Sequence, residues 1–315
     1  MVATYPHAGT LSVRFIDELN TFELRLRRSA AARVAATAAD RADGPASPEL
    51  GELFAEVAQR RARRATTSVP RTGRPPGADD PSIVSAGPPG QVLAVQQLTA
   101  MLRILRIGRP DGLDFDAGQY LKVGVAGRRS GSFSLASAPH DPYLELCVEL
   151  IPSGRLTPAL FTLSPGDRVE LSAGAKGSLR LDPSVRTHLL VGTVTGIAPL
   201  RSLVRDALHR GVPGRLMVLH GASHSDELPY SEELTALADA EERVSYLPTV
   251  SRPSDPRNQS WRGRTGRVDA LASAVATELD PSATRVYATG NSGMIESVRS
   301  SLGAAGFAIS TEAFH

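Results

Sequence analysis

Gly192-Thr193-Val194-Thr195-Gly196-Ile197-Ala198-Pro199 follows directly on residues 187–191, read as a buried strand around Leu189-Leu190-Val191, and leads into a segment, 199–209, where Leu200, Leu203, Val204 and Leu208 recur on one helical face. Strand, glycine-bearing loop and helix in that order form the repeating unit of a doubly wound parallel sheet, whose ligands bind beyond the carboxyl ends of the strands. Pro199 suits a first helical turn, and the N–H groups at a helix start favour phosphate. A second such loop, Thr289-Gly290-Asn291-Ser292-Gly293-Met294, separates a strand at 285–288 from a helix at 293–305. Between the two loops the spacing predicts strands at 215–220 and 244–250 and helices at 230–240 and 268–279. This alternation implies a parallel sheet covered on both faces, assigned to residues 184–315.

Upstream the rhythm is different. Short alternating runs at 91–96, 101–106, 120–125, 132–137, 143–150 and 168–172 are divided by turn signals such as Arg109-Pro110-Asp111-Gly112 and Pro165-Gly166-Asp167. Six short strands at this spacing predict an antiparallel β-barrel over residues 91–183. The first 90 residues form a third region. Segments 25–39 and 48–66 are rich in good helix formers, and 68–90 carries six prolines with several glycines, the composition of a linker. Six arginines between Arg60 and Arg74 lie in a stretch without acids, read as a solvated helix face running into a flexible tail, with docking of an acidic redox partner as the alternative.

Composition narrows the chemistry. The 315 residues are about two domains' worth of chain plus an extension. The 35 basic and 33 acidic residues nearly cancel, so no global charge excess argues for nucleic acid. All the basic residues except Lys122 and Lys176 are arginines. Cys147 is the single cysteine, which excludes an intrachain disulfide, a cysteine-held zinc and a complete cysteine-ligated iron–sulfur cluster in this chain. Within the apolar run 144–151 it reads as a buried core thiol. No apolar run reaches the roughly 18 residues of a membrane span, and residues 1–6 do not open a signal peptide, so a cytoplasmic protein without membrane insertion is expected. Neither His-Glu-x-x-His nor Gly-x-Ser-x-Gly occurs, and Gly221 at a strand end between His220 and His224 argues against a helical metal pair, so no metal site is expected.

Ten short motifs occur in one order along the chain. They are Gly118-Gln119-Tyr120, Ser132-Phe133-Ser134-Leu135-Ala136-Ser137-Ala138-Pro139, Gly154-Arg155-Leu156-Thr157, Pro165-Gly166-Asp167 and Gly177-Ser178-Leu179. They continue with Thr195-Gly196-Ile197-Ala198-Pro199-Leu200, His220-Gly221-Ala222, Ser251-Arg252-Pro253, residues 261–268, and Glu312-Ala313-Phe314. In this order they resemble the ferredoxin–NADP reductase family, especially its bacterial members and the reductase components of oxygenases, over residues 91–315. The resemblance implies an FAD-binding barrel followed by an NAD(P)-binding domain. Phe133 would pack on the isoalloxazine with Ser134 near its N5, and Leu135, Ala136 and Ser137 would line the ring. Gly154, Arg155, Leu156 and the Thr157 hydroxyl would meet the FAD pyrophosphate, and Phe314 would shield the flavin. Thr195, Gly196, Gly290 and Met294 would hold the nicotinamide coenzyme, with Ser223, Ser251 and Arg252 near its adenosine end. Ser134, Thr289 and Glu312 are the implied catalytic groups. The implied reaction passes hydride from NADPH or NADH to FAD, and electrons then leave for a separate carrier such as a ferredoxin, because this chain cannot hold a cluster of its own.

The sequence also departs from the family pattern. Gly131 stands where the family has an arginine for the flavin phosphate, leaving Arg128 or Arg129 as substitutes, and Phe133 replaces a tyrosine. Val194 stands for a glycine of the coenzyme loop, although a β-branched residue tolerates positive φ badly. Thr289 replaces a cysteine, and Ser223 and His224 stand where an arginine often meets a 2′-phosphate, so the choice between NADPH and NADH stays open. Gly131 and Val194 keep a second reading alive, a binding or regulatory subunit on the same scaffold without redox competence. A third is a reductase of free flavin. Oligomeric state is left open.

Overall fold

Two six-stranded sheets carry the chain from Pro89 to Ala313 in the computed structural model, which describes residues 89–125 and 130–313. The expected helices at 25–39 and 48–66, the arginine tract, Arg128, Arg129 and Phe314 lie outside the described residues.

The first sheet contains β1 (Pro89–Gln97), β2 (Leu102–Gly108), β3 (Tyr120–Gly124), β4 (Gly131–Ser134), β5 (Tyr143–Glu149) and β6 (Arg168–Leu171). Its order is β4-β3-β6-β1-β2-β5, every pairing is antiparallel, and an isolated bridge between Leu135 and Leu146 joins the two outer strands into a barrel. Strand β1 begins within the residues that composition assigns to the linker. In β2, Leu102, Ile104, Leu105 and Ile107 are buried. Arg103 and Arg106 lay their guanidinium groups over the Phe161 and Tyr143 rings at 5.2 and 4.7 Å. The short helix α1 (Thr157–Leu160) puts Leu160 into the barrel core beside Leu121, Leu135 and Leu146. Each such side chain contributes about 1.5–3 kcal/mol when fully buried.

The second sheet is wholly parallel, in the order β10-β9-β8-β7-β11-β12. It comprises β7 (Thr187–Thr193), β8 (Arg215–Ala222), β9 (Val244–Val250), β10 (Arg264–Thr265), β11 (Thr284–Gly290) and β12 (Ala308–Ala313). Helices α2 (Ile197–Arg210) and α3 (Ser231–Ala240) cover one face, and α4 (Val268–Ala276) and α5 (Ser292–Ala304) the other. The central strand shows why the sequence reads as a buried strand. Leu190 faces α2, whereas Leu189 and Val191 face α4 and α5, so both sides of β7 are core. Chain order reverses between β7 and β11, which places a topological switch point between the two glycine-bearing loops. Strands β10 and β12 are additions to the sequence expectation, and β12 sets Glu312 beside Thr289 of the adjacent β11. Among the described residues no helix is long and apolar enough to cross a membrane.

Candidate functional site

A cleft of about 390 Å³ opens at the carboxyl ends of β7, β8 and β11, lined by Thr193, Val194, Thr195, Ala222, Ser223, Ser251, Gly290, Asn291 and Met294. Glu149 of the barrel and Arg267 and Asp269 at the start of α4 complete its wall. The two glycine-bearing loops interlock beneath it. The Thr289 hydroxyl donates to the Gly196 carbonyl at 2.6 Å, and the Asn291 N–H donates to Thr193 Oγ1 at 2.9 Å. Only glycine fits at both crossings. A Cβ on Gly196 would lie 2.4 Å from the Thr289 carbonyl oxygen, and Gly290 has φ +112° with its Cβ position 2.4 Å from Thr193 Oγ1. The Asn291 side chain accepts from the Met294 N–H at 3.1 Å, capping α5.

Val194 takes φ 46° despite its branched side chain. Its carbonyl accepts from Nε2 of His220 at 3.1 Å, while the His220 Nδ1 meets the Tyr246 hydroxyl at 3.0 Å. The isopropyl group packs on a small cluster of Ala222, Leu228 and Val250, beside Trp261.

Across the lobe boundary, the Ser134 hydroxyl at the end of β4 donates to Glu312 Oε1 of β12 at 2.6 Å. Burial pushes the Glu312 carboxyl above its ordinary value, and the hydrogen bond from Ser134 opposes the shift. Phe133 is partly buried against the barrel core. Leu135 is core, and Ala136 packs with Cys147 and Ala198. Ser137 is fully buried and accepts at Oγ from the Glu145 N–H. These three side chains therefore face protein. Leu156 stands over Gly131, within 2.8 Å of where a Cβ would sit. The Thr157 hydroxyl accepts from the Ile151 N–H at 2.8 Å and lies 3.3 Å from the Ile151 carbonyl, closing the loop that contains Gly154 and the exposed Arg155.

Helix α2 fixes the two lobes to each other. Arg201, 3% exposed, donates to the Ala136 carbonyl at 2.6 Å and pairs with Glu145 at 3.0 Å and Glu233 at 2.8 Å, its guanidinium lying over the Tyr230 ring. Burial alone would lower its pKa, but the two carboxylates more than reverse that, so the charge is secure. The Ser202 hydroxyl donates to the Ser137 carbonyl at 2.6 Å, and Arg205 grips Asp141 with both terminal nitrogens.

The expected coenzyme residues Thr195, Ser223, Ser251, Gly290 and Met294 all line the cleft. Gly196 lies beneath it and Arg252 is exposed outside its wall. Thr289, expected beside the reacting ring, is fully buried and occupied in holding the loops together. Sequence reasoning missed Asn291, the Arg267–Asp269 pair and Arg201. Arg267-Val268-Asp269 at a helix start was the available signal for the pair. His224 sits between Glu227 at 3.0 Å and Asp255 at 3.2 Å, and Arg257 bridges Asp226 and Glu227, so these acids form an ion-pair network closing the turn after β8.

Residues 190–300 match the oxidoreductase NAD-binding domain family. A ferredoxin–NADP reductase B of Sorangium cellulosum is 34% identical over 221 residues, covering 66% of this chain and 88% of that protein. The fold is that of a Neisseria gonorrhoeae ferredoxin NADP+ reductase solved with bound FAD and NADP (24% identity, TM-score 0.64), covering 71% of this chain and 97% of that one. An Amycolatopsis cytochrome P450 reductase aligns at 27% identity and TM-score 0.63, covering 71% of this chain and 68% of its own. Barrel, parallel sheet, interlocked loops and this degree of identity together make the chain a member of the ferredoxin–NADP reductase family.

Proposed function

We propose that the protein is an FAD-dependent oxidoreductase that takes hydride from NADPH or NADH and passes electrons to a separate carrier of the ferredoxin type. The observation that carries this reading is the Ser134–Glu312 hydrogen bond, which sets a buried hydroxyl and a half-buried carboxyl where the barrel edge meets the last strand, on the same sheet end as the cleft.

The residues present fit both groups. The cleft has the volume of a small-molecule site and is lined by hydroxyl, amide and backbone donors at a switch point. Gly196 and Gly290 leave bare backbone where side chains would block the loops. Thr193, Thr195 and Asn291 offer polar contacts to a nucleotide, Arg267 adds a cation on the wall, and Ser223 and Ser251, with Arg252 nearby, would meet the adenosine end. On the barrel, Phe133 offers an apolar face and Ser134 its hydroxyl, while the 154–157 loop would approach the diphosphate through its backbone. FAD, when bound, would supply hydride acceptance and single-electron release, which no side chain here provides.

The protein's own part is orientation and proton placement. Ser134 holds its hydroxyl proton toward Glu312 Oε1, and burial raises the Glu312 pKa above its ordinary value, so the pair is suited to receive and pass on a proton at that oxygen. Arg201, Ser202 and Arg205 fix the helix that begins beside the coenzyme loop to Ala136, Ser137 and Asp141, in the segment that follows β4.

The purified full-length protein should be yellow or become so with FAD, bleach anaerobically with NADPH or NADH, and then reduce a ferredoxin faster than it turns over free flavin. Protein that cannot be loaded with FAD or FMN would refute the proposal and favour the scaffold reading. Preferential turnover of free flavin would favour the third.

A further inference from the structure

We propose that His220 and Tyr246 are positioning residues for the coenzyme loop, holding Val194 in a left-handed backbone conformation that glycine would adopt unaided. The inference rests on the coenzyme reading of the cleft given above.

Val194 is one of two non-glycine residues at positive φ among the described residues, and the β-branched one. A conformation of this kind persists only where its surroundings over-determine it. Two sets of contacts do so. The isopropyl group packs on Ala222, Leu228 and Val250, and the fully buried His220 reaches the Val194 carbonyl with Nε2. A carbonyl only accepts, so Nε2 carries the hydrogen and the tautomer is fixed. Nδ1 then presents a lone pair, and the Tyr246 hydroxyl donates to it. Burial pushes the His220 pKa down to about 4, so the ring is neutral at physiological pH.

The chain of bonds therefore runs from the Tyr246 O–H through the imidazole to the turn whose next residues, Thr195 and Gly196, enter α2. Neither His220 nor Tyr246 lines the cleft, whereas Val194 and Thr195 do. They act on the coenzyme only through the loop, which makes them positioning residues.

The test uses His220→Leu, His220→Gln, Val194→Gly and the double variant Val194→Gly/His220→Leu in the full-length protein. It reads NADP+ and NAD+ dissociation constants by calorimetry, urea unfolding, and the coenzyme KM and kcat. Losing the bond to Val194 is expected to weaken coenzyme binding about tenfold in His220→Leu, with kcat within about twofold of the parent. Glutamine places an amide N–H near the position of Nε2, so His220→Gln is expected to stay within about threefold. With glycine at 194 the same leucine substitution is expected to change binding less than about twofold, since glycine needs no holding. Equal losses in the two backgrounds, or unchanged binding in His220→Leu, would overturn the proposal. Should His220→Leu not fold, ¹⁵N NMR of the parent decides: a neutral Nε2–H imidazole supports it, and an Nδ1–H ring overturns it. If the parent binds neither coenzyme, the oxidoreductase reading fails separately. The unfolding cycle then still decides, non-additivity of positions 194 and 220 supporting the device and additivity overturning it.

Discussion

The Ser134 hydroxyl and Glu312 Oε1 lie 2.6 Å apart although their residues are 178 positions apart in sequence, so the last strand of the parallel sheet closes onto the barrel through one charge-assisted hydrogen bond. Both partners come from strand ends, which gives the contact less freedom than a loop contact would have. This pair is where the two lobes converge on proposed chemistry.

Ser134→Ala is expected to lower the anaerobic rate of coenzyme oxidation at least about 10²-fold while leaving FAD affinity within about threefold. Stopped-flow absorbance measures the first and fluorescence titration the second. Because Ser134 draws the Glu312 pKa down, its loss also moves the acid limb of the pH–rate profile upward. An unmoved limb would mean that Glu312 does not set it.

Glu312→Gln separates activity from stability. The carboxyl has a folded pKa above its ordinary 4.5 because burial disfavours its charge, so its contribution to stability is present below that value and is lost as pH rises through the folded pKa. Glutamine keeps an acceptor for Ser134 without ionising. The variant should therefore melt higher than the parent at pH 7, with the difference vanishing below about pH 4, while turnover falls. Scanning calorimetry across that range checks the sign.

Arg201→Met should cost about 3–5 kcal/mol in urea unfolding, because it strands the carboxylate of Glu145, which is 1% exposed, with Arg106 as its remaining cation partner. Adding Glu145→Gln should recover part of that loss. An additive double variant would show that the two side chains are not energetically coupled.

Much of this architecture was legible in the sequence, for reasons visible in the structure. Most barrel strands alternate and end in turn residues, and β7 is buried along nearly its whole length, with Leu189, Leu190 and Val191 at its centre, because both its faces are core. Strand β12 was hidden. Its residues, Ala-Ile-Ser-Thr-Glu-Ala, sit at the sheet edge with none fully buried, so they leave no hydrophobic signature, and β10 is only two residues long. The glycine-bearing loops announced themselves, whereas the positive φ of Val194 could not be read from a residue type that avoids it. Arg201 was equally silent. It falls within the apolar stripe of α2 but is buried with Glu145 and Glu233, partners that only the tertiary fold supplies.

Gly196→Ala tests the interlock of the two loops. The backbone at 196 is helical, with φ −59°, so alanine brings no dihedral strain. Its Cβ would meet the Thr289 carbonyl oxygen at 2.4 Å, however, and neither the end of β11 nor the start of α2 can yield cheaply. Overpacking of this kind costs roughly 1–3 kcal/mol, and the cleft should lose coenzyme affinity with it. Thr289→Val, which removes only the hydroxyl that fastens the loops, should cost about 1 kcal/mol, and Thr289→Ser should behave as the parent. If Thr289→Val instead abolished turnover with coenzyme affinity intact, the hydroxyl would have a direct chemical role.

Gly131→Arg asks what a cation at the start of β4 adds to the barrel. Position 131 begins β4, and an added Cβ there meets the Cδ2 of Leu156 at 2.8 Å and the Phe133 ring at 3.3 Å. Leu156 is a flexible, partly buried side chain at the edge of the 154–157 loop, so it can move aside at a cost in packing against the barrel core. A guanidinium that then reaches a diphosphate would gain a charge-assisted contact worth about 1.5–3 kcal/mol, or roughly 10–150-fold in FAD affinity. The single variant should show less than this because Leu156 must be displaced. Gly131→Arg/Leu156→Ala should come closer to the full gain, and Leu156→Ala alone should bind FAD no more tightly than the parent. Fluorescence titration of the three proteins with FAD, repeated at high salt to screen the new charge, distinguishes a phosphate contact from a repacked barrel edge.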